Sequence, residues 1–117
     1  MFKLGVIINP YAGVGGSVGL KGTDGEAIRT EALALGAEQR APARMQRTLE
    51  TIAELNQQVQ VMCFAGDMGE SAAKNAGFAV QIIGAAKNTP SEPEDTCAAA
   101  RALMQAQVEL MLFAGGD

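Results

Sequence analysis

Two glycine-rich turns carry the residue types that this chain could use for phosphate chemistry. Residues 9–16 read Asn-Pro-Tyr-Ala-Gly-Val-Gly-Gly, residues 114–117 read Ala-Gly-Gly-Asp, and each turn follows an apolar run. Glycine lets backbone N–H groups approach phosphate oxygens closely, and a carboxylate after a strand can orient a hydroxyl group or accept its proton. The two turns together indicate nucleotide chemistry. The amides of Gly13, Gly15 and Gly16 would hold phosphate, and Asp117 would lie ionised in the same pocket.

Other polar residues have both a functional and a structural interpretation. Lys21 could reach a phosphate as a point charge, although a solvated lysine is the better explanation. Asp24, Thr89 and Thr96 lie near predicted helix starts, on the expected ligand side, where helix capping also accounts for them, as it does for Asp95. These residues are therefore candidate ligand-side groups with a structural alternative.

Two further features, the Gly66-Asp67 pair and Tyr11, also have an ordinary structural interpretation. Gly66-Asp67 follows the second predicted strand and fits a simple turn or helix start. Tyr11 is the only tyrosine of the chain, and it could stack on a base or simply pack. The Gly-x-Gly-Gly turn is, by itself, compatible with an ordinary loop.

The order of apolar runs and helix patterns decides how these turns would be positioned. Strands are predicted at residues 3–8, 59–65, 78–83 and 108–113, and helices at 23–35, 43–57, 68–76 and 91–106, with a glycine-rich loop at 12–25. The last helix is predicted to begin with a capping box at residues 91–94, with proline in its first turn, and to show Cys97, Ala100 and Met104 on one face. This alternation predicts an α/β fold: a three-layer, Rossmann-like parallel sheet with helices on both faces. If the first and fourth strands are neighbours, in the order 3-2-1-4, both glycine turns face one crevice at the carboxyl edge of the sheet.

Composition sets limits on the class of protein. The 117 residues are 48% hydrophobic and 19% charged, which is enough for one domain with a real core. A net charge of −4 argues against a nucleic-acid surface, although backbone amides can still bind nucleotides. No apolar run has the length of a membrane span, and no signal peptide precedes the first strand. We expect a cytoplasmic protein without nucleic-acid or membrane partners.

Cysteine and histidine usage argues against a metal centre in this chain. The sequence contains no histidine, and its two cysteines, Cys63 and Cys97, lack the spacing of metal ligands. We expect both to be buried free thiols in a reducing compartment, and we predict no metal site and no Ser-His-Asp triad.

The combination of motifs resembles the NAD kinase family. Strand-Asn9-Pro10-x-x-Gly-x-Gly-Gly at the start and strand-Ala-Gly-Gly-Asp at the end carry the resemblance. Residues 19–25 (Gly-Leu-Lys-Gly-Thr-Asp-Gly) and 89–96 (Thr-Pro-Ser-Glu-Pro-Glu-Asp-Thr) look more closely like the branch of ATP-NAD kinases associated with acetoin catabolism. The resemblance covers the whole chain.

By this resemblance, Gly115, Gly116 and Asp117 begin a Gly-Gly-Asp-Gly-Thr motif, whose carboxylate lies at the 2′-hydroxyl of NAD or near the phosphates. The turn at Asn9 and Pro10 would lie close to the phosphoryl donor, which is ATP or polyphosphate with Mg²⁺. Residues 1–117 would then be a single N-terminal nucleotide-binding domain that ends within the motif, without the family's C-terminal β-rich domain. We therefore expect no turnover from these residues alone.

Other functions remain open from the sequence. The same Gly-Gly-Asp arrangement occurs in lipid and other small-alcohol kinases related to diacylglycerol kinase, although an acidic chain without an amphipathic membrane-facing helix disfavours a lipid substrate. A non-catalytic dinucleotide-binding module is a second alternative. A receiver domain would need acidic residues after the first strand, where Asn9-Pro10-Tyr11 offers none. A bare edge strand would also favour a homo-oligomer.

Overall fold

The computed structural model of the protein describes residues 1–11, 40–88 and 91–115. The described elements are β1 (Phe2–Ile8), α1 (Ala41–Glu50), β2 (Val59–Phe64), α2 (Glu70–Asn75), β3 (Ala79–Gly84), α3 (Pro93–Gln105) and β4 (Leu110–Ala114). Short 3₁₀ turns at Ala53–Leu55 and Gly66–Met68 precede β2 and α2. The predicted loop at 12–25 and the predicted helix at 23–35 lie outside the described residues.

The four strands form one parallel sheet in the order β3-β2-β1-β4. β1 lies at the centre, where Leu4 pairs with Val61 on one side and with Leu110 on the other. The apolar runs that predict the strands are therefore buried mainly in β1 and β2, which have a neighbour on each side. The predicted α/β fold and strand order are confirmed.

One face of the sheet is covered by α1 and α2. Apolar residues recur along α1 at four-residue spacing, and Ala41, Met45 and Leu49 are buried, as helical periodicity predicts. They pack in one cluster with alternate residues of the central strands, among them Val6 and Val61. This face holds the larger part of the core.

The other face is covered by α3. Ala99 and Leu103 pack with Ile7 and Met62, which point away from the first cluster. A Cβ atom on Gly5 would lie 2.9 Å from Leu103 Cδ1, so the absence of a side chain in β1 lets the helix approach the sheet. Helices on both faces make the three layers that the sequence predicts.

The buried side of α3 differs from the predicted one. The predicted face holds Cys97, Ala100 and Met104, but Met104 is 65% exposed and the buried residues are Asp95, Ala99 and Leu103, so the helix is rotated about its axis. The helix begins with a buried carboxylate in its first turn, and residues 99 and 103 follow at four-residue spacing on the same side.

Element boundaries also differ from the predictions by a few residues. The predicted helix at 43–57 is divided, since α1 ends at Glu50 and a separate 3₁₀ turn follows. The last strand starts at Leu110 rather than at residue 108, because Gln107 has φ of 60° and the chain must turn there before pairing. β4 is an edge strand of the described sheet, and Leu110 and Phe113 are 54% and 64% exposed.

Candidate functional site

The carboxyl ends of all four strands lie at one edge of the sheet, because the strands are parallel. The segments that leave this edge are residues 9–11 after β1, 65–69 after β2, 85–88 after β3 and Gly115 after β4. Ligands of open parallel sheets bind at this edge. These four segments therefore form the candidate site.

The Asn9-Pro10 corner lies directly beside the end of β4. The backbone N–H of Asn9 donates a hydrogen bond to the carbonyl oxygen of Ala114, with an N···O distance of 2.9 Å. The Asn9 side-chain oxygen accepts a bond of 3.1 Å from the N–H of Tyr11, which closes an Asx-type turn around the buried Pro10. Gly115 follows with φ of 147°, a conformation that favours glycine. The first and last strands thus bring the described starts of the two predicted turns, residues 9–11 and 114–115, side by side.

Several predicted site residues lie outside the described part of the chain, so their roles stay predictions. They are Gly13, Gly15, Gly16, Lys21, Asp24, Thr89, Gly116 and Asp117. Thr96 is described, lies half-buried in the first turns of α3, and does not line the cavity found at this edge.

A cavity of about 280 Å³ opens at the carboxyl ends of β1, β2 and β3. Its polar lining comes from the segments that follow these strands and from the start of α3: Tyr11, Asp67, Asn88 and Ser91. Ala65, Ala85 and Ala86 supply apolar wall. The cavity therefore extends from the Asn9-Pro10 corner toward β3, on the side of β1 away from β4.

The turn that carries Asp67 is held by Glu70. The Gly66 N–H donates a bond of 2.8 Å to one carboxylate oxygen of Glu70, and Lys74 Nζ lies 2.7 Å from the other. The Lys74 hydrogen bond and then the Gly66 N–H lower the pKa of Glu70 below its ordinary value. Gly66 itself has φ of 71°, which few other residues adopt readily. The predicted turn after β2 is confirmed, and it forms part of the cavity wall.

Asp95 holds the segment between β3 and α3. Its side chain is buried and accepts hydrogen bonds from the Lys87 N–H at 2.9 Å, the Glu92 N–H at 2.7 Å and the Asn88 side-chain amide at 3.1 Å. Burial, the largest single influence, raises the pKa of Asp95, but the hydrogen bonds from Glu92, Lys87 and Asn88 together outweigh it and leave the pKa below its ordinary value. The buried carboxylate is thus ionised at neutral pH.

The helix cap at α3 is displaced by one residue from its predicted place. The sequence pattern indicated a capping box between residues 91 and 94, whereas the bond from the Glu92 N–H to Asp95 places it between 92 and 95. Pro93 occupies the first turn, as predicted. Asp95 is therefore a capping residue, in agreement with the structural interpretation, and it also fixes Asn88 beside the cavity.

Comparison with known families identifies the family of the chain. A family model described as the ATP-NAD kinase N-terminal domain matches residues 4–117. The chain belongs to this family. No curated protein and no solved structure matched the chain.

Membership in the NAD kinase family supports a kinase-like, nucleotide-binding function. The family resemblance seen in the sequence is confirmed at this level. No helix among the described residues of this NAD kinase-family domain is long and apolar enough to cross a membrane.

The two cysteines of the NAD kinase-family domain are both free, but they differ in exposure. Cys63 is buried in β2, and burial, helped by the charge of Glu70 and opposed by Lys74, raises its pKa to about 12. Cys97 is exposed, so the prediction that both thiols are buried is wrong for this residue. The reason is the rotation of α3, whose buried side is set by Asp95 and Leu103. Within residues 1–11, 40–88 and 91–115, no group of three His, Cys, Asp or Glu side chains is placed to hold a metal ion.

The residues that sequence reasoning missed are Asp67 and Asn88 as cavity-lining groups. The sequence pattern places Asp67 in a simple turn, and it gives Asn88 no feature that marks it as a site residue. Both follow strands at the carboxyl edge, and that position is the feature by which they could have been found.

Proposed function

We propose that the intact protein transfers a phosphoryl group from ATP or polyphosphate to the 2′-hydroxyl of NAD, as in the acetoin-associated branch that its motifs resemble. The observation that carries this proposal is the hydrogen bond from the Asn9 N–H to the Ala114 oxygen, 2.9 Å long. It brings the Asn-Pro corner and the start of the Gly-Gly-Asp turn to one sheet edge. Family membership over residues 4–117 supports the same reaction class.

The roles of the residues follow from the chemistry of phosphoryl transfer. The 2′-oxygen of NAD forms a bond to the transferred phosphorus atom, the bond to the donor's leaving phosphate breaks, and Asp117 orients the hydroxyl and accepts its proton. The amides of Gly13, Gly15 and Gly16 hold phosphate oxygens, and Asn9 and Pro10 fix the corner beside them. Because such reactions depend mainly on the positioning of groups and on charge, we expect residues 1–117 by themselves to be inactive.

The donor is expected to bind with Mg²⁺, which neutralises charge on the phosphates. Mg²⁺ keeps several waters and is often held by one or two carboxylates together with substrate phosphates. Donor phosphates and waters would supply most of these ligands, and Asp117 would contact the ion through water. The described part of the chain offers no cluster of three ligands, and this mode of binding needs none.

The test is NADP formation by the product of the full reading frame that contains residues 1–117. Asp117→Asn should lower kcat by about 10²- to 10⁴-fold, because the base is lost while the shape is kept. Glu54→Gln, which removes one exposed charge in the short turn before β2, is the control and should retain activity. Residues 1–117 alone should form no NADP.

Two outcomes would replace the proposal. Phosphorylation of a lipid or another small alcohol, without NADP formation, would assign the related small-alcohol kinase activity. Nucleotide binding without turnover on any acceptor would assign a non-catalytic dinucleotide-binding module.

A further inference from the structure

We propose that the cavity at the ends of β1, β2 and β3 binds a nucleotide ribose, with Asp67 accepting hydrogen bonds from the 2′- and 3′-hydroxyls. This inference rests on the proposed function, since it names the part of a substrate that occupies a pocket next to the predicted transfer site.

Asp67 lies at the place where a doubly wound sheet binds ribose. In dinucleotide-binding doubly wound sheets, an acidic residue at the carboxyl edge accepts a hydrogen bond from the ribose 2′-hydroxyl. Asp67 follows β2 by three residues and is exposed at the cavity wall. Among the described residues, no hydrogen bond or ion pair occupies its carboxylate. As far as the described residues are concerned, its oxygens are therefore available to a ligand.

The cavity offers hydrogen-bond acceptors from two side chains, the carboxylate of Asp67 and the carbonyl oxygen of Asn88. The Asn88 amide nitrogen donates to Glu94 at 2.7 Å and to Asp95 at 3.1 Å, so both of its N–H groups are used. What Asn88 can offer a ligand is its carbonyl oxygen. Together with the Asp67 carboxylate, this makes a pocket that prefers hydroxyl or amine donors and repels phosphate. Ribose hydroxyls and an exocyclic base amine are such donors.

The cavity is large enough for only part of a nucleotide. Its volume of about 280 Å³ is just below the range of about 300–1,000 Å³ that is typical of small-molecule sites. It can take a nucleoside moiety, with Tyr11 as the aromatic wall, while the phosphates extend toward the Asn9-Pro10 corner. A whole dinucleotide would not fit.

The ribose in this pocket is not the one that reacts. β2 and β4 are separated by β1, so their ends lie two strand spacings apart, or about 10 Å. If Asp117 orients the reacting 2′-hydroxyl, as proposed, that same hydroxyl cannot also be the one that Asp67 binds. Asp67 therefore holds the ribose of the donor nucleotide or the nicotinamide ribose of NAD.

The experiment measures nucleotide affinity by calorimetry on the full-reading-frame protein, using ATP, NAD and 2′,3′-dideoxy-ATP. Asp67→Asn should weaken binding of ATP or of NAD by about ten- to a hundredfold, the effect of losing charge-assisted hydrogen bonds. Glu109→Gln removes one exposed carboxylate at the amino-terminal edge, where Glu109 accepts from the Lys3 N–H, and should leave affinity unchanged.

The three ligands distinguish the source of the ribose. If the donor ribose occupies the pocket, ATP binding weakens in Asp67→Asn, while dideoxy-ATP binds both proteins with equal, low affinity. If the nicotinamide ribose occupies it, only NAD binding weakens. Equal affinity of wild type and Asp67→Asn for both ATP and NAD would overturn the inference.

Parallel NADP assays separate this inference from the proposed function. NADP formation with no effect of Asp67→Asn on affinity or KM would leave the function standing and remove the ribose pocket. Ribose-dependent binding that requires Asp67, without NADP formation, would retain the pocket and remove the kinase reaction. Circular dichroism of Asp67→Asn confirms that the variant is folded, which its exposed position leads us to expect.

Discussion

Replacing Asp95 by asparagine should destabilise the protein and loosen the segment that borders the cavity. One carboxylate oxygen accepts from the Lys87 N–H at 2.9 Å, and the other accepts from the Glu92 N–H at 2.7 Å and the Asn88 amide at 3.1 Å. Asparagine keeps only one oxygen. Its NH₂ group must then face a donor on one side, and a buried N–H loses its partner.

The size of the effect follows from these contacts. A hydrogen bond to a charged group contributes about 1.5–3 kcal/mol, and leaving a buried donor unsatisfied costs about 1–3 kcal/mol. Because the retained oxygen keeps part of the network and such effects do not add fully, we expect Asp95→Asn to lower the free energy of unfolding by about 2–4 kcal/mol. For a chain of this size, that corresponds to a fall in Tm of about 8–15 °C.

The assay is urea unfolding followed by circular dichroism, with Glu54→Gln as the control. Glu54 is exposed in the short 3₁₀ turn before β2, so its substitution removes one carboxylate charge without a buried network. We expect its effect to stay within about 0.5 kcal/mol. Equal stability of Asp95→Asn and Glu54→Gln would refute the argument that the buried network holds this segment.

The remaining predictions concern pH, packing and thiol reactivity. Because the pKa of Asp95 is lower in the folded than in the unfolded protein, its stabilisation is complete above about pH 4 and is lost as the pH falls through the folded value. The stability difference between wild type and Asp95→Asn should therefore shrink in acid, and a constant difference down to pH 2 would contradict this. Gly69→Ala would place a Cβ atom 2.8 Å from Cys63 Cβ, and it should cost about 1–3 kcal/mol in urea unfolding, with unchanged stability as the contrary result. Iodoacetamide at pH 8 should modify Cys97 in the native protein and Cys63 only after denaturation, as read by mass spectrometry; rapid native modification of both would contradict the burial of Cys63.

Much of the fold could be predicted from the sequence because its strongest patterns are local. Apolar runs bounded by glycine and proline mark the strands, and regular spacing in α1 marks its buried side. The strand order followed from the hypothesis that the two glycine-rich turns share a site, and the bond between Asn9 and Ala114 agrees with it.

The rotation of α3 could not be predicted, because the helix has two apolar stripes. Residues 97, 100 and 104 are as apolar as residues 99 and 103, and periodicity alone does not choose between them. The choice depends on tertiary contacts: the buried cap at Asp95, and the space beside Gly5 that Leu103 fills. The exposure of Cys97 follows from the same rotation.

The cavity was missed for a related reason. Asp67 and Asn88 are 21 positions apart in the sequence, and each belongs to an ordinary-looking turn. Their approach to one cavity depends on the conformation of both turns, which Glu70 and Asp95 fix through hydrogen bonds to backbone N–H groups. Such long-range polar contacts leave no periodic pattern in the sequence.

Hydrogen–deuterium exchange of the full-reading-frame protein, with and without NAD and ATP, tests most directly whether the carboxyl edge of the sheet is the nucleotide site. We predict slower exchange in peptides that contain residues 9–16 and 113–117 when nucleotide is present, and little change at residues 1–3, 57–59 and 77–79 on the opposite edge. Protection confined to the opposite edge, or absent from both glycine-rich turns at saturating nucleotide, would contradict the account.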